Sequence, residues 1–129
     1  ETELSNGALD TRYYTETEVT NALALKADKT QEAWITPTLL NGWVESLFSI
    51  RYRKDSFGIV HIKGRISGGT NGTVAFILPV GYRPTQATGM LGMSDTNVVP
   101  RITVNSDGTV TINNFTAYMY LDSISFSTT

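Results

Sequence analysis

The stretch RITVNSDGTVTIN, residues 101–113, decides the fold class of this chain. Apolar and polar residues alternate on both sides of a short polar loop, which is the pattern of two half-buried strands. The apolar residues of the two strands are Ile102, Val104, Val110 and Ile112. A three-residue loop, 106–108, puts all four on one face, whereas a two-residue loop does not. We therefore predict a β-hairpin with a type I turn and with Gly108 in the left-handed conformation.

A second alternating stretch, SIRYRKDSFGIVHIKGRIS at residues 49–67, predicts another pair of strands. Its inward-facing apolar residues are Ile50, Tyr52, Val60, Ile62 and Ile66. They fall on one face because the loop around Asp55 and Ser56 has an odd length. The opposite face carries cationic or titratable side chains, which we call the basic row: Arg51, Arg53, His61, Lys63 and Arg65.

The rest of the chain after residue 68 supplies further short strands. TVAFIL follows the flexible turn GGTNG, and the glycine-broken QATGMLGMSD predicts at best an irregular or edge strand. Near the end, AYMYLDSISFSTT contains two apolar sets of opposite parity. One set is Tyr118, Tyr120, Ile124 and Phe126, and the other is Met119 and Leu121. Either both faces are buried or a bulge near Asp122 switches them.

About seven short strands with regular turns predict an all-β head, a β-sandwich or jelly roll, over residues 49–129. The predicted core consists of Ile50, Tyr52, Val60, Ile62, Val74, Phe76, Leu78, Ile102, Val104, Val110, Ile112 and Phe126. WITPTLLNGWVES, with two tryptophans and an Asn-Gly pair, predicts an aromatic-anchored connector over 33–48.

Residues 1–32 differ from the head because they contain a helix signal in YYTETEVTNALALKADKT, 13–30. Thr15 and Glu18 form a predicted capping box, and Tyr14 with Val19 a hydrophobic staple, at the start of a helix over about 15–28. A helix this short is marginal alone in water. We expect it to pack against partners through a stem stripe of Val19, Ala22, Leu23, Lys26 and Ala27. The alternative is a single helix packed on its own domain. The polar residues before it predict a continuation of an upstream segment.

Composition excludes several functional classes. The chain has 129 residues, no Cys and one His, so neither a disulfide framework nor a thiolate metal site is possible and a His-rich catalytic centre is not expected. No nucleotide loop, zinc spacing or nucleophile elbow occurs. We therefore predict no enzyme, cofactor or metal site, and a paired-carboxylate glycosidase is kept only as a third hypothesis. No apolar run approaches the roughly 20 residues of a membrane span, so no membrane insertion is expected.

Charge is divided unevenly along the chain. Residues 1–45 have eight acidic and three basic side chains, and residues 46–129 have seven basic and four acidic ones. The basic row predicts a local positive field that attracts phosphate-bearing polymers, although outward strand positions are also polar simply because they meet water. Nucleic acid is not an expected partner, since the net charge is −2 and no recognition module is present. Tyr118 and Tyr120 are a rival ligand-binding pair, but their parity with Ile124 and Phe126 favours burial.

YYTETEVTNALALKADKT resembles a segment of phage tail fibres that leads into a short trimeric helical stem. WITPTLLNGWV, YRKDSFGIVHIKGRISGGTNGTVAFILPVGYRP, DGTVTIN and LDSISF resemble the C-terminal domain of tail-fibre or baseplate receptor-binding proteins from phages and prophages of Gram-positive bacteria. The resemblance covers nearly the whole chain after Leu9. It implies a homotrimeric virion protein at the tail tip whose β-sandwich heads bind cell-surface saccharide or teichoic acid. The alternative is a structural protein that only assembles with other tail or baseplate proteins.

Overall fold

The computed structural model describes residues 15–27 and 31–129. The chain forms two compact units, Glu1–Thr30 and Gln31–Thr129. In the first unit, α1 spans Glu16–Ala27. The Thr15 hydroxyl accepts from the backbone N–H of Glu18 at 3.1 Å, and the Glu18 carboxylate accepts from the Thr15 N–H at 3.2 Å, which confirms the capping box.

Three residues of the stem stripe, Val19, Ala22 and Leu23, are exposed on α1. The exposed fraction is 43% for Val19 and 61% for Leu23. The other two stripe side chains, Lys26 and Ala27, and the staple residue Tyr14 lie outside the described residues. The helix therefore displays apolar surface at Val19 and Leu23.

The second unit contains ten described strands and is all-β, as predicted. The strands are β1 (Val44–Glu45), β2 (Arg51–Lys54), β3 (Ile59–Lys63), β4 (Arg65–Ser67), β5 (Thr73–Ile77), β6 (Thr88–Leu91), β7 (Arg101–Val104), β8 (Thr109–Asn113), β9 (Tyr118–Tyr120) and β10 (Ser125–Ser127). Every strand pair among the described residues is antiparallel. They form three sheets with the orders β1-β4-β9, β10-β3-β2 and β5-β8-β7-β6. The glycine-broken strand β6 lies at a sheet edge, as expected.

All three sheets contribute to one hydrophobic core. The largest fully buried side chains are Phe76, Ile50, Ile62, Ile66, Leu78, Ile102, Ile112, Met119, Leu121, Ile124, Val60 and Val104. One predicted core residue is wrong: Val74 is only half-buried, and Ala75 is buried beside Phe76 instead. The cause is a register shift between Val74 and Phe76 in β5, where the loop residue Asn41 donates to the Val74 carbonyl oxygen at 2.8 Å.

Two hairpins of this unit have the same turn conformation and corresponding strand registers. The β2–β3 turn is closed by hydrogen bonds from Asp55 N to Ile59 O at 2.8 Å and from Gly58 N to Asp55 O at 3.1 Å. Fifty residues later the β7–β8 turn has the same two bonds, from Asn105 N to Thr109 O and from Gly108 N to Asn105 O, both at 2.9 Å. Gly58 and Gly108 have φ of 81° and 91°, the left-handed conformation predicted for Gly108. The registers Tyr52↔Ile62 and Ile102↔Ile112 correspond.

The predicted connector 33–48 lies within the second unit. Trp43 is 2% exposed, and its indole N–H donates to the Thr73 hydroxyl at 2.9 Å. Ile35 exchanges two backbone hydrogen bonds with Tyr52, so this segment continues the sheet beside β2. Only one of the two tryptophans is therefore a core anchor, because Trp34 points to the other side of the sheet and stays half-buried.

Near the C-terminus a turn changes which alternate residues face the core, from odd-numbered to even-numbered positions. Ile124 N–H donates to the Leu121 carbonyl at 3.0 Å, so the chain reverses at Asp122 and Ser123. Met119 and Leu121 are inside before the turn, and Ile124 and Phe126 are inside after it. The favoured burial of Tyr118 and Tyr120 was therefore wrong, since both are half-buried on the outer face of β9.

Candidate functional site

Four members of the basic row lie together on the outer face of β2 and β3. Their register pairs Arg51 with Lys63 and Arg53 with His61, so successive strand positions bring the four side chains to one surface. Arg65 is separate from them. It lies on β4, which belongs to another sheet and pairs with β9.

Two of these four side chains already have carboxylate partners. The Arg51 guanidinium donates to the Glu45 carboxylate at 2.7 Å. The His61 Nε2 atom is 2.8 Å from the Asp55 carboxylate. That hydrogen bond, together with the N–H groups of Ile59 and Phe57, lowers the pKa of Asp55 below its ordinary value. The local positive field is consequently weaker than five free cations would give.

Trp34 lies across the other two cations. The Arg53 guanidinium carbon is 4.2 Å from the centroid of the indole ring, and the Lys63 ammonium is 4.3 Å from it. Both distances are within the range of cation–π attraction, which fixes the ring on the outer face of the hairpin. Neither Arg53 nor Lys63 has a carboxylate within 4.0 Å among the residues that the structure describes.

A groove of about 560 Å³ opens beside Trp34. We call it the groove, and its lining residues are Trp34, Phe48, Ser49, Arg51, Lys63, Gly64 and Asp122. Two aromatic rings form apolar walls, and two cations and one carboxylate supply hydrogen-bond donors and acceptors. This combination of apolar surface with a few convergent polar groups is typical of small-ligand sites.

The two tyrosines and Arg65 form a second surface, which adjoins the groove. We call it the aromatic cluster, and it consists of Phe48, Arg65, Tyr118 and Tyr120. The Arg65 guanidinium carbon lies 4.2 Å from the Tyr118 centroid, 5.7 Å from that of Tyr120 and 6.0 Å from that of Phe48. Its Nε–H donates to the Ser46 carbonyl oxygen at 2.8 Å, so the guanidinium is held in place.

Asp95 completes the edge of the aromatic cluster. The Tyr118 hydroxyl donates to the Asp95 carboxylate, and this bond raises the pKa of Tyr118 above its ordinary value of 10.0. Tyr118 therefore stays neutral at physiological pH. A protonated phenol and a guanidinium beside exposed rings can bind hydroxyl-rich ligands by hydrogen bonds and stacking.

The outer face of the β2–β3 hairpin can be compared with that of the β7–β8 hairpin, which has the same turn and register. At the positions that correspond to Arg53, His61 and Lys63, it carries Thr103, Thr111 and Asn113. At the fourth position, Arg101 corresponds to Arg51, so the same turn and the same inward register form with one cation in the outer row instead of four basic or titratable side chains. The side chains of Arg53, His61 and Lys63 are therefore not required by this turn and register.

Five residues of the groove were not predicted from the sequence, and they are Trp34, Phe48, Ser49, Gly64 and Asp122. Trp34 was read together with Trp43 as an anchor of the connector, although it directly precedes the residue that pairs with β2. Trp34 lies beside a residue that adds to the sheet, and it faces the same side of the sheet as the basic row. That combination is the signal that could have identified it. Phe48 and Asp122 gave no comparable signal because each approaches the groove from a turn.

Among the described residues, no three His, Cys, Asp or Glu side chains lie close enough to hold a metal ion. Within the same ranges, no helix has the length and apolar character needed to cross a membrane. No protein-family model, curated protein or solved structure matches this chain.

Proposed function

We propose that this chain is a non-catalytic host-adhesion module of a phage tail fibre or baseplate, and that its groove binds a host cell-surface saccharide or teichoic acid. The observation that carries the proposal is the groove itself, in which Trp34 is held on the outer face by Arg53 and Lys63. The sequence resemblance to receptor-binding tail proteins supplies the biological setting, including a location at the tail tip of the virion.

The chemistry of the groove suits a sugar better than a run of phosphates. Aromatic rings at a surface, here the half-buried Trp34 and the exposed Phe48, stack on the apolar face of a pyranose ring. Lys63 can donate hydrogen bonds to sugar hydroxyls, and Asp122 can accept them. Arg51 is already paired with Glu45, so the groove has little net positive charge to attract a polyanion. We therefore expect adsorption to depend only weakly on salt.

The proposed assembly is a homotrimer with sandwich-like heads on a helical stem. Val19 and Leu23 are exposed on α1, and three such helices can bury together what one cannot. Three linked heads also raise avidity for a repeating polymer. Light scattering should give about three times the chain mass of 14.1 kDa. A monomer at micromolar concentration with intact β-structure would contradict the trimer.

Adsorption to purified walls of Gram-positive bacteria tests the function, with Trp34→Ala compared with Phe57→Ala. Phe57 is 85% exposed in the turn of the same β2–β3 hairpin and does not line the groove, so it is a matched control. We expect wild type and Phe57→Ala to adsorb equally to the walls of a susceptible host and Trp34→Ala to lose most adsorption. Equal adsorption of all three proteins would overturn the assignment of the groove.

The structural alternative makes a different prediction. A tail or baseplate protein that only assembles with other virion proteins would adsorb to no cell wall, while a phage carrying Trp34→Ala would still assemble and infect. Failure of every wall preparation to retain the wild-type protein, together with normal infection by that phage, would favour this alternative.

A further inference from the structure

We infer that the binding site extends over two adjacent subsites, the groove and the aromatic cluster, and that its ligand is a linear saccharide of at least two consecutive sugar units. This inference rests on the proposed function of the groove. It adds that the protein recognises more than one sugar unit of a chain.

Phe48 joins the two subsites. It lines the groove, and its ring centroid is 6.4 Å from that of Tyr120 in the aromatic cluster. Tyr120 in turn is 6.2 Å from Tyr118, ring to ring. An apolar surface thus runs from Trp34 past Phe48 to the tyrosines.

The backbone around Phe48 is strained at the boundary between the subsites. Phe48 N–H donates to the Ser46 carbonyl at 2.8 Å, which closes a tight turn around Leu47. Leu47 has a φ of 71°, in the left-handed region that residues with a bulky side chain avoid. Such strain concentrates at binding sites, where the surrounding structure holds it in place. Here it sets Phe48, which is 50% exposed, between the two subsites.

Two members of the aromatic cluster are held by contacts within the protein. Arg65 is fixed between the Ser46 carbonyl and the Tyr118 ring, and Tyr118 is fixed by its hydrogen bond to Asp95. A preorganised surface loses little side-chain freedom on binding, so a second sugar unit can add affinity. At the same time, Arg65 offers guanidinium N–H groups to hydroxyl or acidic groups of that unit.

The test is a chain-length series. Wall polysaccharide to which the protein adsorbs is partially hydrolysed with acid and separated into fragments of one to six sugars, and the affinity of the full chain for each is measured by calorimetry. We expect affinity to rise about tenfold or more between one sugar and the length that fills both subsites, and then to level off. Equal affinity per molecule at all lengths would overturn the second subsite.

Variants separate the two subsites. Tyr120→Ala should lower the affinity for long fragments much more than the affinity for a single sugar, so that the length dependence is lost, whereas Trp34→Ala should weaken every fragment. Tyr118→Ala provides a second cluster variant, and Phe57→Ala is the control for both. If Tyr120→Ala and Tyr118→Ala leave the length dependence intact in folded protein, the inference is wrong although the proposed function stands. If Trp34→Ala also has no effect, the proposed function fails as well.

Discussion

The β2–β3 and β7–β8 hairpins are built on the same plan, yet only one of them faces the groove. Their turns close with the same two backbone hydrogen bonds, and Val60 and Ile62 in one correspond to Val110 and Ile112 in the other. All four of these side chains are at most 2% exposed. The outward rows share an arginine, Arg51 or Arg101, and differ at the other three positions, which are Arg53, His61 and Lys63 in one and Thr103, Thr111 and Asn113 in the other. Trp34 lies across Arg53 and Lys63.

In these hairpins the inward row determines folding, whereas the outward row can carry a function. The inward row must be apolar and must fit the core, so both hairpins keep it. The outward row meets solvent, where substitutions usually cost little, and it is therefore free to acquire a binding role. We therefore expect the β2–β3 hairpin to fold even when the side chains that form the groove are replaced.

The largest expected effect is on the inward row. Ile62→Ala and Ile112→Ala should each lower the free energy of unfolding by about 2 to 5 kcal/mol, because both remove fully buried methyl groups and leave a cavity. Denaturant unfolding of the two variants checks this. A loss below about 0.5 kcal/mol at Ile62 alone would mean that the two hairpins are not equivalent inside the core.

The turn glycines should differ in a way that sharpens the comparison. Gly58→Ala should cost about 1 to 2 kcal/mol, since its φ of 81° is unfavourable for alanine and its new methyl group would meet only the side chains of Thr128 and Thr129. Gly108→Ala should cost more, because the methyl group would overlap the backbone carbonyl oxygen of Leu78. Thermal unfolding of both variants measures the difference, and equal losses would argue against the close approach of Leu78 to the β7–β8 turn.

The smallest expected effect concerns acid stability. Hydrogen bonds lower the pKa of Asp55, chiefly through His61, and of Asp107, chiefly through Thr109, below the ordinary value of 3.8. Folding is therefore favoured by these carboxylates above that pH, and the contribution is lost as the pH falls through the lowered values. Asp55→Asn and Asp107→Asn should each make stability decline less steeply between about pH 5 and pH 2. Slopes identical to wild type would contradict these pairings.

The strands and their inward rows could be predicted from the sequence because alternation reports burial directly. The capping box of Thr15 and Glu18 was predictable for a similar reason, since its partners are three residues apart. The burial of Val74, Tyr118 and Tyr120 could not be predicted in this way. It depends on a register shift in β5 and a turn at Asp122, which in turn depend on neighbours distant in sequence. The groove was missed because Trp34, Phe48 and Asp122 meet only after three separate segments have folded.

Adsorption of a hairpin-exchange variant tests the central claim most directly. Replacing Arg53, His61 and Lys63 with Thr, Thr and Asn gives β2–β3 the outward residues that β7–β8 already tolerates. Arg101→Ala, at the exposed β7 position equivalent to Arg51, is the control. Since the groove would lose Lys63 and the supports of Trp34, we predict that the exchanged protein stays folded and loses most of its adsorption to host walls, while Arg101→Ala adsorbs like wild type. Full adsorption by the folded exchange variant would contradict the claim that this outer row carries the function.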